Sequence, residues 1–102
     1  MVRLRHLAKV IRSKNAGPLY ITFDVMFDSR EAFDRVRRSG VISPELMARL
    51  YGVPPEQVVV TEYQAANAIK ATVPRRVASG CADDTDVYGT QQHVPLLDVE
   101  VP

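Results

Sequence analysis

The stretch Leu19 to Phe27, Leu-Tyr-Ile-Thr-Phe-Asp-Val-Met-Phe, constrains this chain more than any other. Leu19, Ile21, Phe23, Val25 and Phe27 fall on one side of an extended backbone, and Tyr20, Thr22, Asp24 and Met26 on the other. A period of two, rich in aromatic and β-branched residues, predicts a strand buried on one face. The fold must therefore contain a sheet with a core on one side.

The flanking sequence supplies the partners of that strand. Asp28 reads as a helix N-cap with Glu31 three residues on, and the helix runs to about Arg38. Ala32, Phe33 and Val36 share its inner face, and Gly40 follows as a stop residue. Arg30/Asp34, Glu31/Arg35 and Asp34/Arg38 are spaced i,i+4 on its outer surface. A second helix starts at Ser43 as N-cap with Pro44 at its first position, and Gly52 and Pro54 end it. Leu46, Met47, Leu50 and Tyr51 form its apolar stripe. Val58 to Tyr63 and Ala68 to Val73 read as strands joined through Gln64 to Ala66, an antiparallel hairpin. Pro74 to Tyr88 is a long irregular loop, of a length that is functional or disordered in so small a domain. A short helix fits Thr90 to Leu97, and Leu97 to Val101 reads as a last strand. Leu4 to Ile11 has both helical and extended spacings and is read as extended.

The order of elements is that of a split β-α-β unit. It predicts an α+β domain over residues 1–102, ferredoxin-like, with an antiparallel sheet and helices on one face. Its strands would be Leu19–Phe27, Val58–Tyr63, Ala68–Val73 and Leu97–Val101. Phe23, Val25, Phe33, Leu46, Leu50, Val59 and Ile69 are the expected core.

Charge narrows the function. The net charge of +1 gives no general footprint for nucleic acid. The distribution is uneven. Arg3, Arg5, Lys9, Arg12 and Lys14 precede any acid, and Asp83, Asp84, Asp86, Asp98 and Glu100 follow the last Lys or Arg. Either the two ends lie side by side or the basic end meets a partner. One cysteine, Cys81, excludes an internal disulfide and a cysteine-rich metal site. No segment has the length and apolarity of a membrane span or signal peptide, so a cytoplasmic protein is expected.

The candidate site begins just before the defining strand, in Ile-Arg-Ser-Lys-Asn-Ala-Gly-Pro from Ile11 to Pro18. Arg12 and Lys14 are cationic donors, Ser13 and Asn15 are small polar groups, and Gly17 lets a backbone approach closely. Such a turn suits a carboxylate or phosphate. It equally suits a structural hairpin whose Arg12 pairs with an acid on the last strand. Asn67 and Lys70 flank the second hairpin strand. Asn67 either meets a ligand or satisfies its own turn, and Lys70 shares the parity of Ala68 and Thr72 on the solvent side. Gln91, Gln92 and His93 follow Gly89. Gln92 and His93 supply donors and acceptors, and His93 is a candidate acid or base or else a surface turn residue. His6 lacks ligand spacing to His93, so no metal is expected, and no cofactor is implied. Cys81 lies close to Asp83 and Asp84, which oppose a reactive thiolate. Asp83, Asp84 and Asp86 lack the glycine and distal glutamate of a calcium loop and read as a solvated acidic loop.

Arg12-Ser13-Lys14-Asn15-Ala16-Gly17, Asn67-Ala68-Ile69-Lys70, Gln91-Gln92-His93 and the closing Leu96-Leu97-Asp98-Val99-Glu100-Val101-Pro102 together resemble a family of small bacterial proteins of unknown function. That family is similar to the ferredoxin-like C-terminal domain of AtuA, the acyclic terpene utilisation protein. The resemblance implies a free-standing counterpart that works beside an AtuA-like large subunit in catabolism of branched or acyl-CoA-linked acids. Lys14, Asn15 and Ala16 stand where the AtuA loop has glycine, aspartate and lysine, so the cation moves and the anion is lost.

Two functions follow as expectations. One is an accessory or regulatory subunit of a larger enzyme. The other is a homo-oligomeric enzyme, or a binding protein for an acyl-CoA or carboxylate ligand, with an anion site between subunits lined by Arg12, Lys14, Asn67 and His93. Small size favours the first, because a chain this short has little room for a deep pocket of its own.

Overall fold

A computed structural model describes residues 1–75 and 93–102. The elements in order are β1 (Val2–Arg3), α1 (Leu4–Leu7), β2 (Val10–Asn15), β3 (Tyr20–Met26), α2 (Arg30–Ser39), α3 (Pro44–Tyr51), β4 (Val59–Tyr63), β5 (Ala68–Pro74) and β6 (Glu100–Val101). Short 3₁₀ turns cover Pro55–Gln57, Gln64–Ala66 and Val94–Leu96. The chain is an α+β domain with antiparallel sheets.

The predicted strand sits at the centre. β3 is flanked by β2 and β5 in a four-stranded sheet of order β2-β3-β5-β4, antiparallel throughout. Both β3 and β4 are antiparallel to β5, so they run in the same direction. Register sets Ser13, Phe23 and Ala71 side by side, and Ile11, Val25 and Ile69 in the next inward row. Ile21, Phe23, Val25, Ile69, Ala71 and Val73 are buried on this face. The Phe23 ring centroid lies 4.7 Å from that of Tyr51 on α3, and Phe27 meets Phe33 on α2 edge-on at 6.1 Å. The helices thus cover the Phe23 face. Burying each such ring stabilises the fold by about 1.5–3 kcal/mol.

Several details depart from the sequence reading. The fourth strand of the sheet is β2, from the ambiguous N-terminal stretch, and not Leu97–Val101. A one-turn helix, α1, takes up the helical half of that stretch, with Leu4 fully buried, and β2 takes up the extended half. The last strand shrinks to β6 and pairs with β1, Val2 opposite Val101 and Arg3 opposite Glu100. Leu19 lies outside β3 and is exposed. Val59 is 60% exposed because Val58 and Val60 take the inward positions beside it. Leu50 is half-buried, packed on the core edge.

The helix ends follow local chemistry, with one shift. Ser29, not Asp28, caps α2, its Oγ accepting the Ala32 N–H at 3.1 Å. Ser43 caps α3 in the same way through Leu46 N–H, with Pro44 next to it as expected. Gly40 and Gly52 end the two helices in the left-handed conformation, each with φ 66°. On α2, Asp34 pairs with Arg37 at 3.1 Å and Arg38 at 3.9 Å, while Arg30 turns away to the β4–β5 connection.

The charge split has a local outcome. Arg5 meets Asp98 at 2.7 Å and Arg3 lies 3.9 Å from the same carboxylate, so the basic and acidic ends do lie side by side. These groups are largely exposed, so the pairs contribute little to stability. Among the described residues no helix is long and apolar enough to cross a membrane.

Candidate functional site

Strand parity divides the Arg12–Gly17 segment between two faces of the sheet. Arg12 and Lys14 point to the outer face, away from the helices. Ser13 and Asn15 point to the inner face. The side chains expected to line one site therefore belong to two.

On the outer face, Arg12, Asp24, Lys70 and Thr61 form one row across the four strands. Arg12 Nε donates to Asp24 Oδ2 at 3.2 Å. Its acid is thus on the neighbouring strand and not on the last one. Lys14 lies in the next row with Thr22, Thr72 and Val59. Tyr20, Val59 and Tyr63 share this face and remain 46%, 60% and 48% exposed. The face combines three cations, one carboxylate and large apolar side chains open to solvent.

On the inner face the polar residues meet an element distant in sequence. Ser13 is 4% exposed, and its Oγ accepts the backbone N–H of His93 at 3.2 Å. Arg75 Nη1 donates to Asn15 Oδ1, and the Arg75 backbone N–H donates to Leu19 O at 2.7 Å. His93 Nδ1 is buried and has no hydrogen-bond partner among the described residues. Tyr51 packs on Phe23, the strand neighbour of Ser13, and burial pushes its phenol pKa up, so it stays protonated through the neutral range.

Gly17 sits at φ 76° in the β2–β3 turn, where Ala16 N–H donates to Tyr20 O at 2.9 Å. Asn67 lies at the opposite end of the sheet from Asn15. It adopts a left-handed conformation, φ 49°, and its Oδ1 accepts Arg30 Nη1 at 3.2 Å. Its backbone N–H closes the turn by donating to Gln64 O at 3.2 Å, while its side chain ties that turn to α2. His6 is exposed. Gln91, Gln92, Cys81, Asp83, Asp84 and Asp86 lie outside the described residues.

Two features were not foreseen from sequence. Arg75 joins the inner cluster from the position just after β5, where nothing in the local sequence sets it apart from Arg76. A groove of about 340 Å³ runs between α3 and the C-terminal segment, with Leu46, Leu50 and Val99 along it and Arg49, Asp98 and Glu100 at its margin. It shares no residue with either sheet face.

These features define a small α+β sheet domain with an open, basic outer face and a polar cluster beneath the helical layer. The chain belongs to the DUF4387 family, a domain of unknown function, whose profile matches residues 4–100. No curated protein and no solved structure matches it.

Proposed function

We propose that this domain is an accessory or regulatory subunit that acts with an AtuA-like large subunit in catabolism of branched or acyl-CoA-linked acids. It docks through the outer face of its sheet. The observation that carries this reading is the clustering of exposed Tyr20, Val59 and Tyr63 with Arg12, Lys14 and Lys70 on the sheet face that points away from the helices. Aromatic residues and arginine are the side chains that anchor interfaces. Charge selects among occupants. Stacking two copies face to face sets three cations and one carboxylate against the same set, whereas an acidic surface complements them.

The finer fold reading belongs to the same proposal. We read β3, the α2–α3 pair and β4, with β5 between the two strands, as a split β-α-β unit. We read the domain as a ferredoxin-like variant whose remaining edge is filled by β2 from the N-terminal side. The resemblance of Arg12–Gly17 and Asn67–Ile69 to segments of the AtuA C-terminal domain is what motivates that reading.

The experiment is size-exclusion chromatography with light scattering, on the chain alone and mixed with an AtuA-like large chain. A stable complex that Val59→Asp and Tyr63→Asp disrupt is the expected result. A strict monomer at high concentration with no binding overturns the proposal. A closed homo-oligomer that ignores the large chain supports the other reading, an enzyme or binding protein with an anion site between subunits.

A further inference from the structure

The four-stranded sheet ends on two unlike edges. At one, β2 carries Arg12 and Lys14. Cations along an edge guard it against pairing with another chain. At the other edge, β4 reads Val-Val-Thr-Glu-Tyr from Val59 to Tyr63. It contains no Lys, Arg, Pro or Gly, and its register with β5 is unbroken from Val59 to Tyr63. Among the described residues no strand pairs with its far side. Val59, Thr61, Glu62 and Tyr63 are exposed, and Val60 is half-buried. Alternate residues of an edge strand aim their N–H and C=O groups away from the sheet. β4 therefore offers a row of backbone donors and acceptors to an extended partner.

We propose that β4 pairs antiparallel with β4 of a second copy, about a two-fold axis at Thr61, so that the two sheets join into one. This register sets Thr61 opposite its own counterpart, Val59 opposite Tyr63 of the second copy, and Val60 opposite Glu62. The sequence of β4 is self-complementary in it. On the outer face the valine–tyrosine pairs are contacts between β-branched and aromatic side chains, with two threonines between them, and such pairs stabilise neighbouring strands. Val59 and Tyr63, 60% and 48% exposed in the single chain, cover each other. Charge selects the register. An axis at Glu62 sets two carboxylates directly opposite one another, whereas an axis at Thr61 places each beside Val60. Lys70, next to Thr61 on β5, lies three strand spacings, about 14 Å, from its counterpart across the seam, where salt screens the pair. The matched valine–tyrosine pairs and the separated carboxylates favour a second copy over a strand of another protein. The pairing goes beyond the docking reading. It uses the strand edge and leaves Arg12, Lys14 and Lys70 open to the large chain, and its test uses the chain alone, so neither result decides the other.

The test is sedimentation equilibrium of the full chain over a concentration series. The mass should rise from one chain to two as the concentration enters the millimolar range. Thr61→Lys should raise the dissociation constant at least about ten-fold, because it sets two ammonium groups against each other at the axis. Its circular dichroism spectrum should match that of the parent chain. Disulfide trapping reads the register. Thr61→Cys should cross-link to its own counterpart, since opposed residues of an antiparallel pair lie about 4.5–5.5 Å apart between Cα atoms. Val59→Cys should not, because its counterpart is displaced about 13 Å along the strand. Mass spectrometry of the oxidised, digested protein separates these links from any made by Cys81. A chain that is monomeric at every concentration overturns the proposal. So does a dimer that Thr61→Lys leaves intact, or one in which Val59→Cys links to itself as readily as Thr61→Cys. Should Thr61→Lys fail to fold, the two cysteine variants decide.

Discussion

Ser13 Oγ accepts the backbone N–H of His93 across 80 residues of sequence, at 3.2 Å. The bond ties β2, the edge strand of the main sheet, to the turn that leads into β6. Both partners lie on the helical side, where water cannot replace a lost bond cheaply. Ser13 is therefore a structural tie.

Ser13→Ala should destabilise the fold by about 1–3 kcal/mol, because the His93 N–H loses its acceptor. For a domain of this size each kcal/mol lowers Tm by about 4–8 °C. Thermal melts followed by circular dichroism measure it. A Tm within error of the parent chain shows that the bond adds nothing.

Gly40→Ala should cost about 1–2 kcal/mol although nothing lies within 4 Å of the added methyl group. The whole cost comes from the left-handed backbone at φ 66°. Gly40→Asn should cost less, since asparagine tolerates that conformation. Urea unfolding of both variants separates the conformational cost from any steric one.

Tyr51 sets a pH dependence at the alkaline end. Burial raises its phenol pKa above the ordinary value near 10, so the folded chain holds a proton that the unfolded chain releases. Its contribution is fully present below pH about 10 and is lost as the pH rises toward the folded value. Stability should therefore fall above pH about 10, and the fall should be shallower in Tyr51→Phe. Urea midpoints of the two chains across the alkaline range give the comparison, and parallel curves exclude Tyr51 as the cause.

Arg12→Ala should weaken partner binding more than it weakens folding. Its bond to Asp24 is largely solvent-exposed on the arginine side and is worth at most about 1 kcal/mol in the free chain. At a desolvated interface an arginine contact is worth more. Thermal melts beside calorimetric titration with the large chain provide both numbers. A lowered Tm with unchanged affinity makes Arg12 a strand-pairing residue and nothing else.

Much of the fold was legible because its signals are local. The alternation through Ile21, Phe23 and Val25 specifies a one-sided strand wherever it occurs. Ser43-Pro44 and the glycines at 40 and 52 begin and end helices through bonds to residues within a turn of themselves. Ser29 in place of Asp28 shows the limit of such reasoning. Adjacent residues that can both cap are chosen between by which helix phase turns Phe33 and Val36 inward. Val59 shows it again, since three consecutive valines leave strand phase undecided until β5 pairs with β4.

The candidate site was legible as a segment and not as a site. Arg12, Ser13, Lys14 and Asn15 stood out by type, but a two-residue period sends them alternately to opposite faces. Only the placement of the helices decided that Ser13 and Asn15 face inward and that Arg12 and Lys14 face out. Asn67 lay at the far end of the sheet, and Arg75 reached Asn15 from 60 residues away.

By itself the sequence determined the central strand, the two capped helices, the β4–β5 hairpin and an excess of cations near the start. All of these rest on interactions between residues close along the chain. The tertiary structure decided that β2 and not the last strand completes the sheet, and that β6 pairs instead with β1. It also decided which polar residues meet. Those outcomes depend on pairings across long loops, where the closure entropy is similar for competing partners. Packing of the shared core on Leu4, Phe23, Leu96 and Val101 selects among them.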